Sequence, residues 1–293
     1  MQALIIGAGG YIGSRIYHEM KNRKIDVVGT SRKAENNFIK FELGKDEVCN
    51  VIKTLKGDDR TAIICAGISN IDRCKSEYET AHWINVTATK ELIEGLYLEG
   101  FRIVYFSSDQ VFDGKKGNYN EGDEVNPINA YGCMKVEVER YLQENVPESC
   151  IFRLSKVVDD RQDVKNMFYS WEKQCYQTVY CFKDNLMTCI AMDDVINACI
   201  LTMQLGLTGV YHLASDQIVI RRRLMDQFFL AMQVANYVIE EKDIEDFGLL
   251  EKRPLDTSLN NNKFKYAANY RFISMKELIE RYTTNKNERV NRE

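Results

Sequence analysis

The fold of this chain follows from the stretch Gly7-Ala8-Gly9-Gly10-Tyr11-Ile12-Gly13, close to the N-terminus. It comes after Gln2-Ala3-Leu4-Ile5-Ile6, an apolar run with the length of a buried parallel strand. Beyond it, Ile16 and Met20 recur at helical spacing, so we expect a helix to begin within the glycine segment. A strand, a glycine turn and a helix in this order predict the first unit of a doubly wound α/β fold.

The same glycine turn predicts a dinucleotide site. Glycines allow a tight turn, close approach of the backbone to a pyrophosphate and close packing of the helix on the strand. The helix N-terminus adds N–H groups and the positive end of the helix dipole. The ordinary alternative to cofactor binding is that these glycines only shape a loop. We expect the cofactor to contact Gly7, Gly9, Gly10, Tyr11, Ile12 and Gly13.

The end of the second apolar run, residues 25–29, indicates which dinucleotide binds. Thr30-Ser31-Arg32-Lys33 stands where an NAD site usually carries Asp or Glu. A carboxylate would repel a 2′-phosphate, whereas Ser31 can donate a hydrogen bond to it and Arg32 can form a forked ion pair. The sequence therefore favours NADP(H). The alternative is that Arg32 and Lys33 are solvated loop charges.

A second group of candidate residues follows the strand-like run 101–106. Ser107-Ser108-Asp109 would lie at its carboxyl end, where open α/β sheets bind ligands. Tyr131 and Lys135 are four residues apart, which places both on one face of a predicted helix. A lysine ammonium beside a phenol lowers the pKa of the tyrosine, so it could exchange a proton near neutral pH. We therefore expect proton transfer by Tyr131 and Lys135 on an oxygen that Ser108 orients, the alternative being a surface helix pair.

These motifs resemble the extended short-chain dehydrogenase/reductase superfamily and, within it, the dTDP-4-dehydrorhamnose reductase branch of sugar-nucleotide reductases. The resemblance covers most of the chain and implies a Rossmann-like, mostly parallel sheet with a smaller, mainly helical substrate lobe. Beyond the glycine turn, it rests on Ser107-Ser108-Asp109-Gln110-Val111-Phe112-Asp113-Gly114, Tyr119-Asn120-Glu121, Pro127-Ile128-Asn129-Ala130-Tyr131-Gly132 with Lys135, Gly209-Val210-Tyr211-His212-Leu213-Ala214, and Arg253-Pro254-Leu255-Asp256-Thr257-Ser258-Leu259.

The resemblance implies roles for individual residues. Ser108, Tyr131 and Lys135 correspond to the catalytic triad, with Tyr131 and Lys135 also against the cofactor. Asp109 corresponds to a substrate contact beside the reacting carbon. Cys65-Ala66-Gly67 corresponds to a turn along the cofactor, and Glu42-Leu43 to the turn under the adenine. No metal site is expected.

Two arginines are candidate contacts for the nucleotide part of a substrate. Arg222 lies within Arg221-Arg222-Arg223, and Arg253 begins the last of the resembling motifs. A guanidinium group suits phosphate because its N–H donors form a fork. For the arginine triplet, a solvated helix face is the more common interpretation.

The resemblance implies NADPH-dependent reduction of a nucleotide-linked 4-keto-6-deoxysugar in the synthesis of glycan precursors. A 4-epimerase of the same fold would usually hold NAD tightly, which Ser31-Arg32 disfavours. A dehydratase would need a glutamate beside the serine, where Asp109-Gln110 stands. A non-catalytic NADP-binding subunit is a third alternative, because the regulatory subunit of methionine adenosyltransferase resembles this branch too. The intact Ser108, Tyr131 and Lys135 set argues against it.

Composition limits the setting of the protein. The formal net charge of −4 argues against nucleic acid as the main partner. Nine cysteines without a close C-x-x-C pair or a signal peptide predict reduced thiols in the cytoplasm. No apolar stretch has the length of a membrane span. We expect a nucleotide-sugar substrate as the partner, and a homodimer stays open.

The alternation of segments predicts the domain organisation. Apolar runs at 1–6, 25–29, 61–66, 101–106 and 150–154 alternate with helical patterns, as in a doubly wound sheet. The predicted dinucleotide-binding domain spans 1–158 and is completed by 186–215. The predicted substrate lobe consists of 159–185 and 216–282. The polar tail 283–293 is expected to be disordered.

Overall fold

The computed structural model of the protein describes residues 1–290 except 34–36, 54, 56, 58, 163–165 and 184, with side chains to residue 286. The strands are β1 Gln2–Ile6, β2 Asp26–Ser31, β3 Ile39–Lys40, β4 Arg60–Ile64, β5 Arg102–Ser108, β6 Cys150–Leu154, β7 Lys156–Val158, β8 Thr178–Phe182, β9 Leu186–Met187, β10 Cys189–Ala191, β11 Gly209–Leu213, β12 Val219–Ile220 and β13 Val238–Lys242. The α-helices are α1 Tyr11–Asn22, α2 Cys49–Ile52, α3 Ile71–Ser76, α4 Tyr78–His82, α5 Ala88–Leu98, α6 Ala130–Asn145, α7 Met167–Gln174, α8 Met192–Leu205, α9 Arg221–Ala231, α10 Asn262–Ala268 and α11 Met275–Val290. A π-helical segment, Trp83–Thr87, joins α4 to α5, and 3-10 turns occur at Asp109–Val111 and Ile244–Phe247.

The central sheet has seven strands in the order β11-β6-β5-β4-β1-β2-β3. The pairs β1–β2, β1–β4, β2–β3 and β4–β5 are parallel. The order reverses between β1 and β4, and α/β sheets bind their ligands at such a switch point. The predicted Rossmann-like, doubly wound α/β fold is confirmed.

The five apolar runs of the sequence form the middle of this sheet as β1, β2, β4, β5 and β6. Their side chains are buried because α1 packs against β1 and β2, while α5 and α6 pack against β5. Leu4, Ala62 and Ile103 are representative, each at most 1% exposed within one hydrophobic cluster. Strands covered in this way read as continuous apolar runs, which is why the sequence shows them clearly.

Helix α6 begins at Ala130, so Tyr131 and Lys135 share one helix as predicted from their spacing. Asn129 is its N-cap, and the Asn129 Oδ1 accepts a hydrogen bond of 2.9 Å from the Gly132 N–H. A side chain at position 132 would collide with the backbone oxygen of Gln110. The glycine thus lets the first turn of α6 pack directly on the residues that follow β5.

Two compact units divide the chain. The first comprises 1–112, 125–153 and 196–211, and the second comprises 113–124, 154–195 and 212–293. The second unit has its own core, in which the rings of Phe168 and Phe228 stack with centroids 4.8 Å apart and Trp171 is 4% exposed. The assignment of dinucleotide and substrate binding to separate parts of the chain stays a proposal.

The C-terminal segment differs from the expectation of disorder. Helix α11 continues to Val290, so the expectation does not hold for 283–290, whereas 291–293 lie outside the described residues. Tyr282 donates a 2.6 Å hydrogen bond to the Glu172 carboxylate, and Lys286 pairs with the same carboxylate at 2.9 Å. These contacts hold a polar sequence in place that its composition alone would leave unstructured.

Candidate functional site

The turn after β1 is shaped by glycines that have no room for a side chain. Gly7 has a φ of +89°, and a Cβ there would lie 2.8 Å from the backbone nitrogen of Ala66. At Gly9, a Cβ would lie 2.5 Å from the Ser31 Oγ. A Cβ at Gly13 would collide with the backbone oxygen of Gly7. The turns after β1, β2 and β4 are therefore in close contact at the switch point of the sheet.

The residues expected to contact the adenosine half of the cofactor follow β2 and β3. Ser31 ends β2, and its carbonyl accepts a 2.9 Å hydrogen bond from the Phe41 N–H. Arg32 follows and is exposed. The Glu42 carboxylate pairs with Lys45 at 2.9 Å, and Leu43 packs against the core. A hydroxyl and an exposed guanidinium group thus occupy the place of the carboxylate that an NAD site uses.

Asn85 holds the Cys65-Ala66-Gly67 turn and lay outside the predicted site. The Asn85 Oδ1 accepts 2.7 Å from the Ile68 N–H, and its Nδ2 donates 2.9 Å to the Ile68 carbonyl. The side chain is 4% exposed and comes from the π-helical segment, a type of bulge that is frequent at functional sites. An asparagine inside a helical pattern was the only sequence signal.

The end of β5 and one face of α6 bring Ser108, Tyr131 and Lys135 together. The Lys135 Nζ donates to the Phe106 carbonyl at 2.7 Å and to the Tyr105 hydroxyl at 3.1 Å. It lies 5.6 Å from the ring centroid of Tyr131. Ser108 lies beside Tyr131 and lowers the pKa of its hydroxyl, while the Ser108 Oγ donates to the Asp109 carboxylate. The three residues expected from the sequence therefore form one cluster at the carboxyl edge of the sheet.

The electrostatics of this cluster keep the phenol protonated. Although Tyr131 retains some exposure, desolvation raises the pKa of its hydroxyl, and the Asp109 charge raises it further against the opposing hydrogen bond with Ser108. Desolvation lowers the pKa of Lys135 to about 8. Tyr131 therefore does not titrate near neutral pH as expected from the sequence, because desolvation raises the pKa of its hydroxyl overall. A protonated phenol beside an ammonium group can donate a proton.

Asp109 is tied to the start of α6. The Asp109 Oδ1 accepts from the Ser108 Oγ at 2.9 Å and from the Gln110 Nε2 at 3.2 Å. The Gln110 Oε1 in turn accepts 3.1 Å from the Nδ2 of Asn129, the N-cap of α6. This chain of hydrogen bonds sets the position of the Asp109 carboxylate relative to the helix that carries Tyr131.

The two candidate arginines lie in the second unit. Arg222 forms an ion pair with Asp226 one turn later on α9, and its side chain is 27% exposed. The Arg253 Nη1 donates 2.9 Å to the Glu251 carbonyl. Their contact with a substrate stays a prediction.

Three of the resembling motifs pack together inside the second unit. The His212 N–H donates 2.9 Å to the Glu121 carboxylate, and the His212 Nδ1 lies 3.0 Å from the Tyr119 carbonyl. The Tyr119 N–H donates 3.0 Å to the Ser258 carbonyl. His212 is fully buried. These motifs therefore contribute to the architecture of the second unit.

The described part of the chain contains no group of three or more His, Cys, Asp or Glu side chains arranged for a metal ion. Within the same residues, none of the helices combines the length and apolar character needed to cross a bilayer. All nine cysteines are free thiols.

The sequence is similar to a known protein family and to individual characterised proteins. The family model described as RmlD substrate binding domain matches residues 1–287. The chain is 30% identical over 228 residues to the probable low-salt glycan biosynthesis reductase Agl14 of Haloferax volcanii, over 75% of this chain and 76% of that protein. It is 32% identical over 155 residues to methionine adenosyltransferase 2 subunit beta of Danio rerio, over 52% of this chain and 47% of that protein.

The fold also matches a solved structure. The dTDP-4-dehydrorhamnose reductase of Bacillus anthracis, solved in complex with NADP, aligns with a TM-score of 0.86 and 20% identity, covering 97% of this chain and 100% of that one. At this identity the match shows the fold alone. Because the family model covers nearly the whole sequence, the resemblance to this branch is confirmed: the chain belongs to the RmlD substrate-binding domain family.

Proposed function

We propose that this protein is an NADPH-dependent reductase of a nucleotide-linked 4-keto-6-deoxysugar that acts in glycan precursor synthesis. The observation that carries the proposal is the cluster of Ser108, a protonated Tyr131 and Lys135 at the carboxyl edge of the sheet. Membership of the family supports it. Proteins named as a glycan biosynthesis reductase and as a dTDP-4-dehydrorhamnose reductase, to which the chain is similar, also support the proposed reductase function.

The residues at the switch point fit an NADP(H) cofactor. A Cβ at Gly7 or Gly9 would collide with Ala66 or Ser31, and a turn of this kind would let its backbone approach a pyrophosphate closely. Ser31 and the exposed Arg32 supply a hydroxyl and a guanidinium group for a 2′-phosphate, and the described positions 31–33 carry no carboxylate that would repel it. When bound, the nicotinamide supplies the hydride.

The chain's own residues would manage the proton and the substrate oxygen. Ser108 would donate a hydrogen bond to the carbonyl oxygen and fix its direction. Tyr131 holds its proton because its hydroxyl is desolvated, so it would protonate that oxygen as negative charge develops. The Lys135 ammonium would then stabilise the phenolate and bind the cofactor ribose. Asp109, tied to the start of α6, would contact the substrate beside the reacting carbon.

A non-catalytic NADP-binding subunit is the second candidate. It is favoured by the 32% identity to methionine adenosyltransferase 2 subunit beta, which extends over about half of each chain. Such a subunit would bind the cofactor without turnover of a ketosugar. A 4-epimerase would instead interconvert sugars without net NADPH consumption, and Ser31-Arg32 disfavours the NAD that it usually holds.

The experiment is NADPH oxidation by the purified protein with a panel of nucleotide-linked 4-ketosugars, after NADPH binding has been measured by fluorescence. We expect binding of NADPH and turnover of at least one ketosugar. NADPH binding without turnover of any ketosugar would contradict the reductase and favour the regulatory subunit. Interconversion of 4-epimers without NADPH consumption would favour the epimerase.

A further inference from the structure

One face of α6 carries a third charged side chain beyond Tyr131 and Lys135. Glu139 follows Lys135 by four residues, so the two side chains share a helix face. Glu139 is only 2% exposed. A carboxylate almost never lies this deep unless it is paired, so its partners indicate its purpose.

Three consecutive residues of β5, Tyr105, Phe106 and Ser107, contact this face of α6. The Tyr105 hydroxyl and the Phe106 carbonyl accept hydrogen bonds from the Lys135 ammonium. The Ser107 Oγ then donates a short hydrogen bond to the Glu139 Oε1. Because Ser107 adjoins Ser108, a displacement of the Glu139 carboxylate would reach the serine of the candidate site.

Arg153 on β6 holds the carboxylate from the other side. Its Nε lies 3.1 Å from the Glu139 Oε1, and its Nη2 lies 2.7 Å from the Glu139 Oε2. The side chains of both residues are at most 4% exposed. A forked, charge-assisted pair of this kind holds the carboxylate in a fixed position.

The Glu139 carboxylate opposes the effect of desolvation on the pKa of Lys135. Desolvation lowers the pKa of Lys135 to about 8, and the Glu139 charge raises it. The other titratable groups that face Lys135 are Tyr105 from β5, Tyr131 from α6, Cys65 after β4 and Cys74 from α3. Desolvation raises the pKa values of Tyr105, Tyr131 and Cys65, so these three groups stay neutral.

We propose that Glu139 is a positioning residue for the candidate site: its carboxylate, locked by Arg153, keeps the Lys135 ammonium charged and holds Ser107 in register with α6. The part of this inference that concerns catalysis rests on the proposed reductase function. The charge state of Lys135 is a property of the protein alone and can be measured without substrate or cofactor.

The first experiment is an NMR titration of the full chain labelled with 13C at lysine Cε, with Lys135→Met to assign the signal. Glu139→Gln removes the charge and keeps an acceptor for Ser107, whereas Glu139→Asp keeps the charge on a shorter side chain. We expect Glu139→Gln to lower the Lys135 midpoint by about one pH unit or more, the usual effect of a neighbouring charge. Glu139→Asp should stay closer to the wild type. An unchanged midpoint in Glu139→Gln would overturn the proposal.

A double variant covers the case in which Glu139→Gln does not fold. Removal of one partner leaves the Arg153 charge buried and unpaired, which is strongly destabilising, whereas removal of both partners is much better tolerated. In Glu139→Gln/Arg153→Met the midpoint of Lys135 should again fall, because Glu139 shares the helix face of Lys135 and Arg153 lies beyond it. A wild-type midpoint in the folded double variant would count against the proposal.

The second experiment is the pH profile of kcat/KM for the ketosugar. If the charged lysine is needed, activity falls as pH rises through its pKa, so Glu139→Gln should shift this alkaline limb to lower pH. Tyr141→Phe, elsewhere on α6, is the control and should leave the limb unchanged. A wild type without ketosugar turnover would contradict the reductase while the NMR titration still decides the role of Glu139. Turnover with an unshifted midpoint and limb in Glu139→Gln would overturn the role of Glu139 alone.

Discussion

The two units of the molecule bury a carboxylate in different ways. In the first unit, Glu139 is paired with the Arg153 guanidinium group and accepts from Ser107. In the second, Asp194 is fully buried, and its carboxylate accepts from the Tyr270 hydroxyl at 2.8 Å and the Ile273 N–H at 3.1 Å. One carboxylate is therefore bound by a buried cation and the other by two neutral donors.

The difference teaches what each carboxylate can do. A buried cation compensates Glu139 directly, and the carboxylate so fixed shares the helix face of Lys135. Neutral donors compensate Asp194 less completely, and desolvation raises its pKa to about 6. The first arrangement suits proton chemistry at a site. The second makes the stability of its own unit depend on pH.

The largest effect that we expect concerns the site of the first unit. Tyr131→Phe removes only a hydroxyl, so the fold and cofactor binding should persist. Turnover of the ketosugar should fall by about 10²–10⁴-fold, the usual contribution of a positioned acid. Steady-state NADPH oxidation measures it, with Tyr141→Phe as a control that loses the same group elsewhere on α6. Near-normal turnover by Tyr131→Phe would show that another group donates the proton.

The next effect concerns Asp194 and pH. Its folded pKa of about 6 lies above the ordinary aspartate value of 3.8, so the folded state binds the proton more tightly. The stabilisation is complete below about pH 4 and is lost as pH rises through 6. Between pH 4 and 7 the wild type should lose roughly 3 kcal/mol of unfolding free energy relative to Asp194→Asn. Urea unfolding at several pH values measures this difference.

A neighbouring aspartate provides the control for that titration. Asp193 stands one residue earlier and forms a partly exposed ion pair with Arg281 at 3.4 Å. Relative to Asp193→Asn, the wild type should show a change of less than about 1 kcal/mol over the same pH range. If the difference between wild type and Asp194→Asn were flat from pH 4 to 7, the contrast between the two buried carboxylates would fail.

The parts of this molecule that the sequence predicts are those with local signals. The glycine turn and the five central strands appear as short apolar runs bounded by turn residues. The spacing of Tyr131 and Lys135 puts them on one helix face whatever the rest of the chain does. The serine at the end of β5 follows from the rule that ligands bind at the carboxyl ends of parallel strands.

The parts that the sequence does not predict depend on contacts between distant segments. Glu139 and Arg153 look like surface charges until β6 packs beside α6. The protonation of Tyr131 depends on desolvation and on Asp109, which spacing does not encode. The last helix reads as a polar tail because its anchor, Glu172, comes from another part of the chain.

A smaller effect is expected at the cofactor end of the first unit. Arg32→Asp replaces a cation for the 2′-phosphate with a repelling charge. The affinity for NADPH should fall about 10- to 100-fold, the worth of a hydrogen bond to a charged group, while that for NADH changes little. Fluorescence titrations of both cofactors measure it. Lys33→Asp adds the same charge one residue later and should have a smaller effect; an equal loss for NADPH and NADH in Arg32→Asp would contradict the NADP(H) assignment.

The smallest effect is expected in the second unit. Arg222 already pairs with Asp226 and is partly exposed, so a substrate phosphate would compete with Asp226 and with water for it. Arg222→Ala should therefore raise the apparent KM for the ketosugar only about two- to fivefold, as for exposed ion pairs. Arg253→Ala should raise it by a similar factor, because the Arg253 Nη1 already donates to the Glu251 carbonyl and would have to be shared with the phosphate. NADPH affinity should be unchanged in both, and Arg223→Ala, exposed on the same helix, is the control.

A fall in NADPH affinity that matched the rise in KM would mean that these arginines serve the cofactor, and the proposed division of binding between the two units would be wrong.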